Sequence, residues 1–158
     1  MKGVFFMVFG VVVGVAATVA VGWNVMPGMM IDVQASALPF EATVTAIEVA
    51  AKENGWKVPK IYDIRQSLRK AGHDIPPVKV LSLCQPDHAN EILSDDESRY
   101  VSGMMPCRIG VFQTDDGTVY ISKMDIGLMS RMFGGRIERV MGQAAVEEKE
   151  ILKGIVAK

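Results

Sequence analysis

Hydrophobic residues in this chain follow three different rhythms. From residue 3 to residue 22 there is no rhythm, because no charged residue interrupts the stretch, which runs Val4-Phe5-Phe6-Met7-Val8-Phe9 and then through valines to Val21. About 20 apolar residues at roughly 1.5 Å each span the ~30 Å hydrocarbon layer of a bilayer. Trp23 follows, where an amphipathic ring favours the interface. Beyond it, residues 29–34 read as a first strand. Pro39 then opens a helix whose stripe is Phe40, Val44, Ile47 and Ala51, ended by Gly55. A strand at 57–62 precedes a short helix, capped by Asp63, that runs to Lys70 and stops at Gly72. Residues 78–83 form a buried strand ending at Cys84, and Pro86 starts a short helix through Leu93.

The clearest alternation lies further on. Residues 108–114 and 118–124 are β-rich and flank Asp115-Asp116-Gly117, which predicts a hairpin. Ile109 and Val111 share one face of its first strand, Val119 and Ile121 one face of its second. A short helix at 126–133 is broken by Gly134-Gly135. The last helix, 136–156, carries Ile137, Val140, Met141, Ala144, Ile151, Leu152 and Ile155 at helical spacing. The expected class is α+β: a mainly antiparallel sheet with helices packed on one face, preceded by one transmembrane helix. The expected division is an anchor over residues 1–27 and one domain over 28–158.

Charge changes the picture only at the N-terminus. The whole chain balances 17 basic against 18 acidic residues, so no positive field recruits nucleic acid. Lys2 is the only charged residue before Asp32. The positive-inside tendency therefore puts the N-terminus in the cytoplasm and the domain in the periplasm or outside the cell, on a single-pass inner-membrane protein. Cleavage as a signal peptide is the rival. Ala35-Ser36-Ala37 has the right small residues, but it lies far beyond the apolar run, and that run exceeds the ~7–15 residues of a signal core. Gly10, Gly14, Thr18 and Gly22 recur every four residues, a face on which two helices pack closely, so a homo-oligomer is expected.

Two short motifs carry a resemblance. Leu83-Cys84-Gln85-Pro86-Asp87-His88-Ala89, then Met105-Pro106-Cys107-Arg108-Ile109-Gly110-Val111, occur in the order found in the domain-of-unknown-function-302 family. Phe40-Glu41-Ala42-Thr43-Val44 and Ile121-Ser122-Lys123-Met124-Asp125 are similar to it as well. The likeness spans roughly residues 28–156, with Gln85 standing where the family pattern has Asn. The resemblance implies a compact α+β domain that commonly dimerises, and no established reaction.

The candidate chemistry is sulfur chemistry. Cys84 closes one strand and Cys107 opens another, so antiparallel neighbours bring them together and a parallel crossover keeps them apart. A structural disulfide, two inert buried thiols and a ligand or redox pair all remain open. His88 follows Cys84 by four residues, and Met104 and Met105 precede Cys107. Thiolate, thioether and imidazole together suit copper or the iron of a haem. Cys84, His88 and Cys107 are the expected metal ligands, with Met104 and Met105 completing a cofactor site and Met124, Met129 and Met132 as neighbours. Without Cys-x-x-Cys-His, covalent haem attachment is excluded. No catalytic motif is present: His73-Asp74 sits in a turn, Asp95-Asp96-Glu97 reads as a solvated helix end, and Arg131, Arg136 and Arg139 read as a solvated face. The expected function is a membrane-anchored binding or electron-transfer module. The alternatives are a non-catalytic accessory subunit of a membrane complex, partnered by its other subunits, or a thiol–disulfide redox protein.

The anchor is directly testable. Full-length protein is expected to stay in the membrane fraction through salt and alkaline carbonate washes, because burial of about 20 apolar residues outweighs screened surface charge. Release by carbonate, or an N-terminal sequence starting near Leu38, contradicts it.

Overall fold

A computed structural model describes residues 2–157, apart from the side chains of residues 2, 4–6, 8 and 27. The orientation argument from Lys2 and the α-amino group therefore falls outside the described residues. The apolar run forms one continuous helix, α1 (Lys2–Met30). Its window Phe9–Met26 is long and apolar enough to cross a membrane, and none of it is buried against the rest of the chain. The helix runs three residues past the expected boundary at residue 27 and takes in the start of the expected first strand. It stops only where β1 (Ile31–Ala35) begins to pair, and the backbone N–H of Asp125 donates to the Met30 carbonyl at 2.9 Å.

Four more strands complete an open antiparallel sheet: β2 (Lys57–Asp63), β3 (Val78–Cys84), β4 (Cys107–Gln113) and β5 (Val119–Met124), in the order β1-β5-β4-β3-β2. One register row crosses it through Asp32, Lys123, Ile109, Leu81 and Ile61. Alternation then turns Leu81, Leu83, Ile109, Val111 and Ile121 to one face, where all are buried. That face is covered by α2 (Phe40–Glu53) and α6 (Gly135–Leu152), so the class is α+β as the sequence predicts. On the opposite face Phe112 stacks on Tyr120, with ring centroids 5.4 Å apart.

Local chemistry sets the element ends. Pro39 precedes α2, and all four residues of its expected stripe are buried. The Asp63 carboxylate accepts from the Gln66 backbone N–H at 2.7 Å, starting α3 (Ile64–Lys70). The Gln85 side chain does the same for the His88 N–H at 2.9 Å, opening α4 (Pro86–Leu93). Three details differ from expectation. A short 3-10 helix occupies Arg99–Met104, preceded by Ser98, whose hydroxyl donates to Asp95 at 3.0 Å. The next helix, α5 (Ile126–Ser130), is shorter than 126–133. The last helix ends at Leu152 rather than residue 156, because Gly154 takes a positive φ of 80° and Val156 bridges back to Ser36.

The core rests on contact between α2, α6 and the sheet. Ile151→Ala removes a fully buried side chain and is expected to cost ~2–5 kcal/mol. Val146→Ala, on the exposed side of the same helix, is expected to stay within about 0.5 kcal/mol. Urea unfolding followed by Trp56 fluorescence checks both, and equal midpoints for the two variants contradict the packing.

Candidate functional site

Antiparallel pairing gathers particular strand ends. Ile31 pairs with Met124, Lys57 with Cys84, and Leu83 with Cys107. The starts of β1, β2 and β4 and the ends of β3 and β5 therefore lie at one end of the sheet. There α4, the 3-10 turn and α6 close over a cavity of about 220 Å³. Its walls are apolar, chiefly Ile92, Val101, Ile126, Val140 and Ala144. Cys84, Cys107, His88, Met104 and Met105 all line it. The antiparallel arrangement thus brings together the two thiols, with His88 four residues after Cys84 and Met104 and Met105 three and two residues before Cys107.

Cys84, His88 and Cys107 line the cavity together, and among the described residues no group of three or more His, Cys, Asp or Glu side chains is placed to hold a metal ion. His88 has partners of its own. Its Nε2 lies 2.9 Å from Glu147 Oε1, while Trp56 Nε1 donates to Glu147 Oε2 at 2.8 Å. The Trp56 and His88 rings meet edge to face with centroids 6.3 Å apart. Glu147 thereby ties the imidazole to α6. Both thiols are free and half-buried. Burial pushes the Cys107 thiol up to about 12, with the nearby Glu148 carboxylate and Cys84 adding to the effect and Lys123 opposing it. Cys107 is therefore a protonated, soft, nearly apolar group at neutral pH. Met124 joins the lining, whereas Met132 is exposed and Met129 packs in α5.

A polar end to the cavity was not anticipated. Glu148 lines it with only 3% of its surface exposed. Lys123 Nζ stands 3.2 Å from Glu148 Oε2 and 3.5 Å from Asp32 Oδ2. Apart from this ion pair with Lys123, Glu148 Oε2 has no hydrogen-bond partner among the described residues. Burial pushes the Glu148 carboxyl up, and Lys123 pulls it partly back. The sequence did contain a signal: Glu148 falls on the inward stripe Ile137, Val140, Ala144, Ile151, and Lys123 continues the inward alternation Val119, Ile121.

Other charged candidates are accounted for by ion pairs. Asp74 accepts from Arg69 and Arg65, which hold its carboxyl below the usual range. Arg136 pairs with Asp95, and Arg139 with Glu91.

Sequence and structure converge on one class. The family described as "Domain of unknown function DUF302" matches residues 31–157. The chain belongs to that family, and the match begins at the first residue of β1. Among solved structures, the uncharacterized conserved protein DUF302 from Bacillus stearothermophilus superposes with a TM-score of 0.70 at 21% identity, over 78% of this chain and 96% of that one. That likeness is one of fold. No curated protein matches the chain.

The raised thiol predicts a reactivity profile. In a Cys84→Ser background, alkylation of Cys107 by iodoacetamide is expected to accelerate about tenfold per pH unit from pH 8 to 11, since only the thiolate reacts. A rate that levels off near pH 9 contradicts the buried environment.

Proposed function

We propose that this protein is a non-catalytic, membrane-anchored binding module whose ligand occupies the cavity at the strand ends. The observation that carries the reading is the meeting of Cys84, Cys107, Met104, Met105 and His88 around one largely apolar space. Concave apolar sites with a few convergent polar groups are the usual form of a small-molecule site. The volume of about 220 Å³ is below the ~300–1,000 Å³ that holds drug-sized ligands, so the occupant is small or partly protruding. A tetrapyrrole would stand largely outside. The topology that fits the module is N-terminus in the cytoplasm and domain in the periplasm or outside the cell, supported by Lys2 at the start of α1 and Asp32 and Glu41 after it. Self-association is part of the proposal: Gly10, Gly14 and Gly22 leave open space on α1.

A second reading follows from the sulfur-rich lining. Two thiols with Met104, Met105, Met124 and Met141 are soft donors that suit monovalent copper, provided binding expels the Cys107 proton.

Full-length protein purified from its own membranes separates the readings. Native mass spectrometry is expected to show a small organic molecule, lost in the cavity-filling variant Ala89→Phe. Stoichiometric copper abolished by Cys84→Ser or Cys107→Ser supports the second reading, and a Soret band supports haem. Protein that is empty by all three measurements, and is unchanged by Ala89→Phe, points instead to an accessory subunit.

A further inference from the structure

We propose that the cavity takes a neutral, lipophilic molecule carrying a hydroxyl or N–H donor, drawn from the bilayer, and that Glu148 accepts that donor. This rests on the cavity being a binding site and adds the ligand's chemistry and its source.

The source follows from how the anchor joins the sheet. Helix α1 passes into β1 with no linker, and Ile31 pairs with Met124, itself part of the cavity wall. The strand ends that build the cavity are therefore the ends nearest the anchor. About 20 residues of helix cross the hydrocarbon layer. From Trp23, at the interface position, to Met30 the helix rises only ~10–12 Å. The headgroup region on each side is roughly 5–8 Å deep. The cavity end of the sheet thus stands at or just above the lipid headgroups. A ligand reaching it from the membrane crosses no more than a few ångströms of water.

The chemistry follows from what the walls lack. Ile92, Val101, Ile126 and Val140 favour an apolar body, and the Cys107 thiol, protonated at neutral pH, adds no charge. Glu148 Oε2 is buried and, apart from its ion pair with Lys123, has no hydrogen-bond partner among the described residues. Leaving a buried acceptor unsatisfied is costly, so a donor arriving with the ligand is stabilising. A cationic donor fits less well than a neutral one. Lys123 already stands between Glu148 and Asp32, and a second cation beside it would be repelled. A hydroxyl also serves in either protonation state of the carboxyl, because one carboxyl oxygen accepts in both.

The test uses full-length protein in phosphatidylcholine nanodiscs. Trp23→Phe leaves Trp56, a cavity-lining residue, as the single tryptophan of the two in the chain. The probes are 4-hexylphenol and hexylbenzene, which differ only in the hydroxyl. The phenol is expected to change Trp56 emission saturably and to bind about tenfold more tightly than hexylbenzene, the scale of one hydrogen bond to a charged acceptor. Glu148→Leu is expected to erase that preference. Glu148→Gln keeps an acceptor oxygen and is expected to keep it, which covers the case in which the leucine variant fails to fold. Equal affinities in the parent protein, or a preference that survives Glu148→Leu, overturn the role of Glu148 while leaving the cavity as an apolar site. Saturable binding of neither probe overturns the binding-site reading as well. Nanodiscs with headgroup-spin-labelled lipid test the source: quenching of Trp56 is expected, and unquenched Trp56 overturns delivery from the bilayer.

Discussion

The inward stripe of α6 lies across the sheet, and both the core and the cavity depend on that contact. Ile137, Val140, Ala144 and Ile151 fall at steps of three, four and seven residues, with Leu152 beside them, and all are buried. A helix held by such a stripe cannot choose which of its other side chains turn inward. Glu148 lies between Ala144 and Ile151 on the same line, so packing drives it under the helix. Glu147, one residue earlier, falls at the flank, where it reaches Trp56 and His88. One packing event therefore supplies the buried carboxyl and also fixes the orientation of the histidine.

The sheet imposes a matching constraint. Alternation that buries Val119 and Ile121 places Lys123 on the same face. A lone ammonium or carboxylate there would cost several kcal/mol, but the pair, with Asp32 beside it, offsets much of that cost. Lys123 is the one group paired with Glu148 Oε2 among the described residues, which leaves that acceptor with no further partner. Natural cores rarely leave such an atom unsatisfied without cause. Its position at the cavity wall, and not in the dense centre of the core, connects this packing defect to function.

Much of the fold was legible because short-range rules decide it. Pro39, Asp63 and Pro86 mark helix starts through fixed φ or a side-chain acceptor, and Asp116-Gly117 marks the hairpin turn. The antiparallel neighbourhood of Cys84 and Cys107 was one of two arrangements that the sequence left open, and pairing of Leu83 with Cys107 decided it. What was not legible depends on contacts distant in sequence. The 3-10 turn at Arg99–Met104 is flanked by Asp95, which pairs with Arg136 some forty residues away. The early end of α6 answers to a bridge from Val156 to Ser36. His88 finds its partner in Glu147, fifty-nine residues later, and no spacing rule around Cys84 reports it.

These long-range contacts also set what the site selects. Several ionisable side chains at the cavity are engaged, His88 with Glu147 and Lys123 with Glu148 and Asp32, while Arg108 also lines it. The thiol at Cys107 is held protonated by burial, and a neighbouring carboxylate reinforces that. A cation entering the cavity would meet Lys123 beside Glu148, and any ion would lose its own hydration against apolar walls. A neutral molecule with one donor meets neither penalty. It gains the apolar contact and supplies the hydrogen bond that Glu148 lacks. The protonated Cys107 thiol and the thioethers are polarizable apolar surface, which packs well against a lipophilic guest, and conversion of Cys107 to a metal ligand would first require the carboxylate and burial that hold its proton to be overcome.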